Sequence, residues 1–297
     1  MTEQSGAVYD LGYEPFDGER SGRKGARKAV YIDGIRRVLG LGRKARRKIM
    51  PWTLIVIAII PSIVAIGISF ILPAGSPDTI NLADQNSEFF LLSGTMTMLF
   101  TALAAPELLI PDRRDGVLSM LSSRPLTPGD YLGARFASLA TIVAGFMIVP
   151  QLVLFIGQAA TDEEGLFQGF INAADTLPRI IAVAAVYTIA YVPLGFVIAS
   201  LSNRKAIATA SYLAVMIALT AFTEAIVRES SIPAGRWFAL LAPINTADAA
   251  NVWIFGGSNP DALLAVADIS PIYGIIALVV FGSLLSMFSL HRYRGLM

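Results

Sequence analysis

Residues 51–72 read PWTLIVIAIIPSIVAIGISFIL, a stretch from Pro51 to Leu72 without a single charge and with only Thr53, Ser62 and Ser69 as hydroxyl breaks. A helix rises about 1.5 Å per residue, so this run covers the roughly 30 Å of bilayer hydrocarbon. Five more runs of the same kind follow: Phe89–Ile110, Leu132–Ala159, Ile180–Leu201, Ala206–Val227 and Pro271–Leu290. The fold class that follows is all-α and polytopic, with six transmembrane helices. Composition agrees, because 55% of the chain is hydrophobic and 15% is charged, too apolar for a water-soluble domain of this length. Pro150 falls inside the long third run and removes one helical hydrogen bond, which a neighbouring group must replace.

The charges alternate from loop to loop. Arg20, Arg23, Lys24, Arg27, Lys28, Arg36, Arg37, Arg43, Lys44, Arg46, Arg47 and Lys48 precede the first span. Arg113, Arg114 and Arg124 lie between spans two and three, with Arg135 just inside the third. Arg204 and Lys205 lie between four and five, and Arg292 and Arg294 in the tail. The other three connections hold only Arg179, Arg228 and Arg236, and carry acids such as Asp78, Asp84, Glu88, Asp162, Glu163, Glu164, Asp175, Asp261 and Asp268. By the positive-inside rule both termini are expected in the cytoplasm of a cell whose plasma membrane holds the chain. The first apolar run begins too late for a cleaved leader, so the first span is expected to act as the targeting signal.

Residues 1–28 are polar and glycine-rich, and read as an irregular cytoplasmic tail in which Tyr9, Leu11, Tyr13 and Phe16 are the exceptions. Over residues 29–50 the pattern becomes amphipathic. Val30, Ile35, Val38, Leu39 and Ile49 can share a face, while Arg36, Arg37, Arg43, Lys44, Arg46, Arg47 and Lys48 stay polar and suit anionic lipid headgroups. Gly40 and Gly42 should divide this interfacial helix in two. Nothing resembling a nucleic-acid-binding module accompanies the basic cluster, so no nucleic-acid partner is expected.

The connection after the second span has internal design. Pro111 can open a short helix with Asp112 and Asp115 in its first turn, where negative charge suits the helix dipole. Gly116 is followed by an apolar stripe of Val117, Leu118 and Leu121, and Arg124-Pro125 ends it. Exposed charges on such a helix, including Arg113 and Arg114, suit docking into a groove on a soluble protein. An acidic-arginine pair at Asp112-Arg113, then Gly116, Val117-Leu118 and Pro125-Leu126, resembles the cytoplasmic coupling segment of the permease subunits of ABC-2 type transporters. The resemblance extends over most of the chain: an amphipathic elbow helix at 29–50, a transmembrane domain at 51–290 with coupling segment 111–125, a long last external segment at 228–270 containing Leu241-Ala242-Pro243-Ile244-Asn245, and a short tail at 291–297.

What the resemblance implies is a pathway shared with a second permease chain, identical or related, and an ABC ATP-binding subunit that carries ATP and Mg; no cofactor is expected in this chain. In the family, segment 228–270 forms short re-entrant or interfacial helices on the outer side, and Trp237, Phe238, Trp253 and Phe255 would suit the headgroup level. Within the spans, Ser93, Thr95, Thr97, Gln151, Thr188, Tyr191, Thr209, Ser211, Tyr212 and Thr220 are candidates for lining a pathway or for bonding helices together, Ser93, Thr97, Gln151, Tyr191 and Thr220 being the leading ones for a pathway. Such mild polarity suits an amphipathic or lipid-like cargo. Glu224 sits near the outer end of span five with Arg228 at i+4, and reads as half of an interfacial ion pair.

Other functions find little support. The chain has no cysteine and only His291 as histidine, which removes thiolate sites and multi-histidine metal centres. No Gly-x-x-x-x-Gly-Lys-Ser/Thr loop, Gly-x-Ser-x-Gly elbow or His-Glu-x-x-His pair is present. Few ionisable groups lie at membrane depth, which disfavours a secondary transporter. The Glu-Ala-Ala loop of importer permeases is absent, its nearest fragment, Glu224-Ala225, being on the wrong side. A membrane anchor or sensor that binds an ATPase without moving cargo is the alternative from another class.

Overall fold

The apolar runs fold as helices, and in the computed structural model, which describes residues 22–42, 46–71, 82–122, 125–162, 164–229 and 233–295, no strand occurs among the described residues. Helix α1 spans Gly22–Val38 and α2 spans Arg46–Ile71. Then come α3 (Leu82–Arg114), α4 (Val117–Ser122), α5 (Pro128–Ala160), α6 (Leu166–Asn172), α7 (Thr176–Leu201) and α8 (Lys205–Glu229). A 3₁₀ stretch at Pro233–Leu241 leads into α9 (Pro243–Ile254), α10 (Leu263–Val266) and α11 (Pro271–Arg294). Six helices among the described residues (α2, α3, α5, α7, α8 and α11) are long and apolar enough to cross a membrane. They coincide with the six runs in the sequence.

Burial sorts the six into centre and rim. The most apolar stretches of α7 and α3 are 72% and 61% buried, against 17% for α2 and 22% for both α8 and α11. The helices α3, α5 and α7 therefore form the centre, packed on one another, with α2 against α5, α8 against α3 and α11 against α7. The rim helices turn Val56, Ile60, Phe222, Ile276 and Leu284 outward. A water-facing surface would not carry such a girdle, whereas hydrocarbon accepts it.

Two sequence expectations shift at the ends of elements. Residues 22–28 are helical, where composition suggested an irregular tail, because Arg23 and Arg27, one turn apart, both reach Asp130 of α5, at 2.6 and 3.6 Å. A tertiary ion pair orders what local propensity leaves undecided. The break after α1 is where the glycines placed it, with Gly40 and Gly42 at φ of 66° and 76°, a region costly for residues with a Cβ. The tail residues Tyr9, Leu11, Tyr13 and Phe16 lie outside the described residues.

The larger shift concerns Pro111. It was expected to start a helix, yet α3 runs through both Pro106 and Pro111 as far as Arg114. Leu108, Leu109 and Ile110 are fully buried there, so packing against the bundle holds the helix through the lost hydrogen bonds. The chain turns only at Gly116, whose φ of 69° is left-handed.

Residues 233–254 pack into the bundle, with Ala247, Ala250 and Asn251 fully buried. Helix α9 runs antiparallel to the first half of α7: Asp248 accepts a hydrogen bond from Tyr187, and seven residues on, the Phe255 carbonyl accepts from Arg179. With the 3₁₀ stretch packed on α8, the two form a hairpin wedged between α7, α8 and α11. Close approach to α11 requires Gly274, where a Cβ would stand 2.7 Å from the Thr246 methyl.

Candidate functional site

The side chains that sequence reading marked for docking meet at one end of the bundle, and several of them point inward. Asp112 is 1% exposed. Its Oδ1 accepts from Arg37 Nη1 at 2.6 Å, and its Oδ2 accepts from Arg135 Nη2 at 2.6 Å and from the Tyr131 hydroxyl at 2.8 Å. Asp33 closes the ring, accepting from Arg37 Nη2 at 3.1 Å and from Arg135 Nη1 at 2.8 Å. Two carboxylates and two guanidiniums thus alternate in a neutral ring that joins α1, α3 and α5. Arg135, expected as a topogenic charge just inside the third span, is 3% exposed and also lies 5.6 Å from the centre of the Tyr131 ring, a cation–π distance.

The helices can come this close because of Gly34. A Cβ there would stand 2.2 Å from Ser138 Oγ on α5, an impossible separation. Val30, Gly34 and Val38, spaced one turn apart, are the buried face of α1, and Ile35 and Leu39 pack beside them. One turn from the ring, Thr127 caps α5, its hydroxyl accepting from the Asp130 amide at 3.2 Å while Asp130 Oδ2 accepts from the Thr127 amide at 3.1 Å. Arg23 then bonds the same carboxylate.

Arg113 points the other way, into the carboxyl end of α7. It donates to the carbonyls of Ser200 and Ser202, and to that of Ala199 at 3.3 Å. Arg292 of α11 adds a bond from Nε to the Ser200 carbonyl at 2.9 Å. The last turn of a helix exposes carbonyls without partners and carries partial negative charge, so two guanidiniums stabilise it. Lys205 at the start of α8 pairs with Glu107 of α3. Every central helix is therefore held by ions at this basic end.

What remains outward is narrower than the sequence suggested. Arg114, Asp115, Gly116 and Pro125 are exposed, Pro111 and Val117 are half-buried, and Leu118 is buried in the core under α4. Leu121 packs at the edge of that core. Met120, which the sequence did not single out, is 71% exposed on α4. The short helix expected at Pro111 thus starts at Val117, and Asp112 and Arg113 are internal struts: a correction forced by the burial of α3 through its prolines. Arg124 lies outside the described residues. Of the basic cluster, Arg36 is exposed, Arg37 belongs to the ring and Lys48 is half-buried. Arg43 and Lys44 lie outside the described residues, as do the side chains of Arg46 and Arg47.

The pathway candidates are dispersed through the packed interior. Ser93, Thr97, Gln151 and Tyr191 are buried, while Thr220 is partly buried. Thr97 donates back to the Ser93 carbonyl at 2.8 Å and Thr220 to that of Met216 at 3.0 Å, the i−4 bond that hydroxyls make inside helices. Gln151 donates to the Asn86 carbonyl at 3.2 Å, and the Tyr191 carbonyl accepts from Tyr212 at 3.4 Å. Glu224 accepts from Asn245 at 3.1 Å and Arg228 donates to the Asp261 carbonyl at 2.8 Å, in place of the expected pair between them, because α9 and its loop bring better-placed groups to each.

Sequence reading missed Asp248. Eleven residues into α7, Tyr187 donates to it at 2.6 Å, and Tyr187 in turn stacks on Phe90 and meets Tyr191 edge-on. Asp248 thus lies inside the bundle, about halfway along α7. No signal marks this residue in the chain, because α9 is too short to register as a span. Compared with known proteins, the chain matches no family model and no curated sequence. Its own geometry therefore carries the functional reading.

One outcome follows. Asp112→Asn leaves the buried Arg135 and the half-buried Arg37 short of charge and is expected to cost about 3–5 kcal/mol, read as a lower thermal unfolding midpoint, whereas replacing Asp112, Arg37 and Arg135 together by apolar residues recovers much of the loss.

Proposed function

We propose that this chain is the membrane-spanning subunit of an ATP-driven transporter of the ABC-2 type, an exporter of an amphipathic or lipid-like substrate. On this reading it sits in a prokaryotic plasma membrane with the basic end in the cytoplasm. ATP and Mg bind a separate ATPase subunit, and a second permease chain, identical or related, completes the pathway. Helix α1 is the elbow helix on the membrane surface, and α4 with the turn at Arg114–Gly116 is the contact for the ATPase.

The observation that carries the reading is the ionic ring at Asp112. It ties the start of α5 and the end of α3, the two helices that flank α4, to α1 by charge-assisted bonds. A load on α4 therefore reaches α3 and α5 as a rigid displacement, since packed helices respond in discrete steps and not by bending. Arg113 extends the same load to α7. The hairpin of the 3₁₀ stretch and α9 forms the far end of the lever, where it packs against α7, α8 and α11. ATPase closure would shift this frame between two states, one open to each side.

The test is purification of the tagged chain in mild detergent with identification of what accompanies it. An ABC ATPase is expected in the complex, with hydrolysis stimulated by lipids. Replacing Arg114, Asp115 and Met120 together by alanine removes only outward side chains, and is expected to lose the ATPase while the unfolding midpoint stays at the wild-type value. A purified chain without any ATPase, or a variant that keeps it undiminished, would contradict the proposal.

A further inference from the structure

Near the basic end, α5, α7 and α11 leave a cavity of about 290 Å³ between them. Its walls are Gly129, Gly133 and Phe136 of α5, Phe196 of α7, and Ser289 and Leu290 of α11. Gly129 and Gly133 are exposed and a Cβ on Gly133 would meet nothing within 4 Å, so the cavity opens sideways beside the glycines. The adjoining surface of α11 is hydrocarbon-facing, with Met287 66% exposed. One polar atom in this apolar wall has no partner: Ser289 is 1% exposed and its hydroxyl makes no hydrogen bond in the structure. A buried hydroxyl left without a partner is destabilising.

The charges above the cavity are basic. Arg294 is exposed and lies at i+4 from Leu290, hence on the same face of α11. Arg292, also exposed, is fixed through its Nε on the Ser200 carbonyl, one turn beyond Phe196. Ser289 and Arg294 are five residues apart, about 7.5 Å along a helix. That matches the thickness of a headgroup layer, roughly 5–8 Å on each side of the hydrocarbon.

We infer that this groove is a binding site for one anionic phospholipid of the leaflet on the basic side. Arg292 and Arg294 hold the phosphate, the Ser289 hydroxyl donates to an ester carbonyl at the hydrocarbon edge, and an acyl chain lies over Gly133 between Phe136 and Phe196. The inference needs only that the chain is embedded in a bilayer, and stands apart from the transport reading. A second copy of the chain could also use the Gly129 and Gly133 spacing, since small residues four apart admit a close helix. A lipid fits better, because its phosphate and its ester carbonyl lie a headgroup depth apart, as the arginines and the buried hydroxyl do.

Photolabelling decides the matter. The full chain is placed in nanodiscs with phosphatidylglycerol or phosphatidylcholine carrying a diazirine on the acyl chain, and labelled peptides are mapped by mass spectrometry. Labelling is expected on residues 128–136 and 286–290, with about a tenfold preference for phosphatidylglycerol. Gly133→Leu, at a position where a Cβ meets nothing within 4 Å, extends a side chain into the groove, and is expected to bring labelling there to background with the unfolding midpoint unchanged. Arg292→Gln with Arg294→Gln is expected to keep labelling but lose the preference. Equal labelling by both lipids in the wild type, undiminished labelling of Gly133→Leu, or cross-links from this groove to a second copy would overturn the inference.

Discussion

Asp112 is a carboxylate removed from water at the end of the most buried part of the bundle, and it is tolerable there only because Arg37 and Arg135 neutralise it. An isolated buried charge costs several kcal/mol, so its two partners must be held in place, and that requirement organises the neighbourhood. Helix α1 must lie against α5, which Gly34 alone permits by its missing Cβ. Helix α3 must continue past Pro111 to deliver the carboxylate, and the chain can turn only after it, at Gly116. The exposed helix α4 inherits its position from these constraints.

The two ends of the bundle are held by different chemistry. At the basic end, ion pairs and guanidinium caps connect α1, α3, α5, α7, α8 and α11. At the other end the connections are packing and neutral or single-charge hydrogen bonds, as between Asn251 and Ser87 or Asp248 and Tyr187. The frame is thus ionic at one end and held by neutral or single-charge contacts at the other. The hairpin at 233–255 meets α7 through two hydrogen bonds, one accepted by Asp248 from Tyr187 and one accepted by the Phe255 carbonyl from Arg179.

The six spans were legible in the chain because a membrane helix announces itself locally, through twenty apolar residues in a row. The break at Gly40 and Gly42 was legible for the same reason. The ring at Asp112 was not, since its partners lie 75 and 23 residues away in sequence, and a run such as Asp112-Arg113-Arg114-Asp115 looks like a solvated turn until the helices around it are placed. Pro111 misled in a related way: local propensity says helix start, but the burial of Leu108 and Leu109 outweighs it. Asp248 and Asn251 were silent because α9 is too short to announce a span, and only the hairpin brings them to α7 and α3.

The central claim is that Asp112 fastens α1 to the bundle. Hydrogen exchange of the α1 amides between Val30 and Val38, compared in the wild type and in Asp112→Leu, tests it directly. The account predicts that protection across α1 is lost in the variant while α7 keeps its own. Equal protection of α1 in both proteins would contradict it.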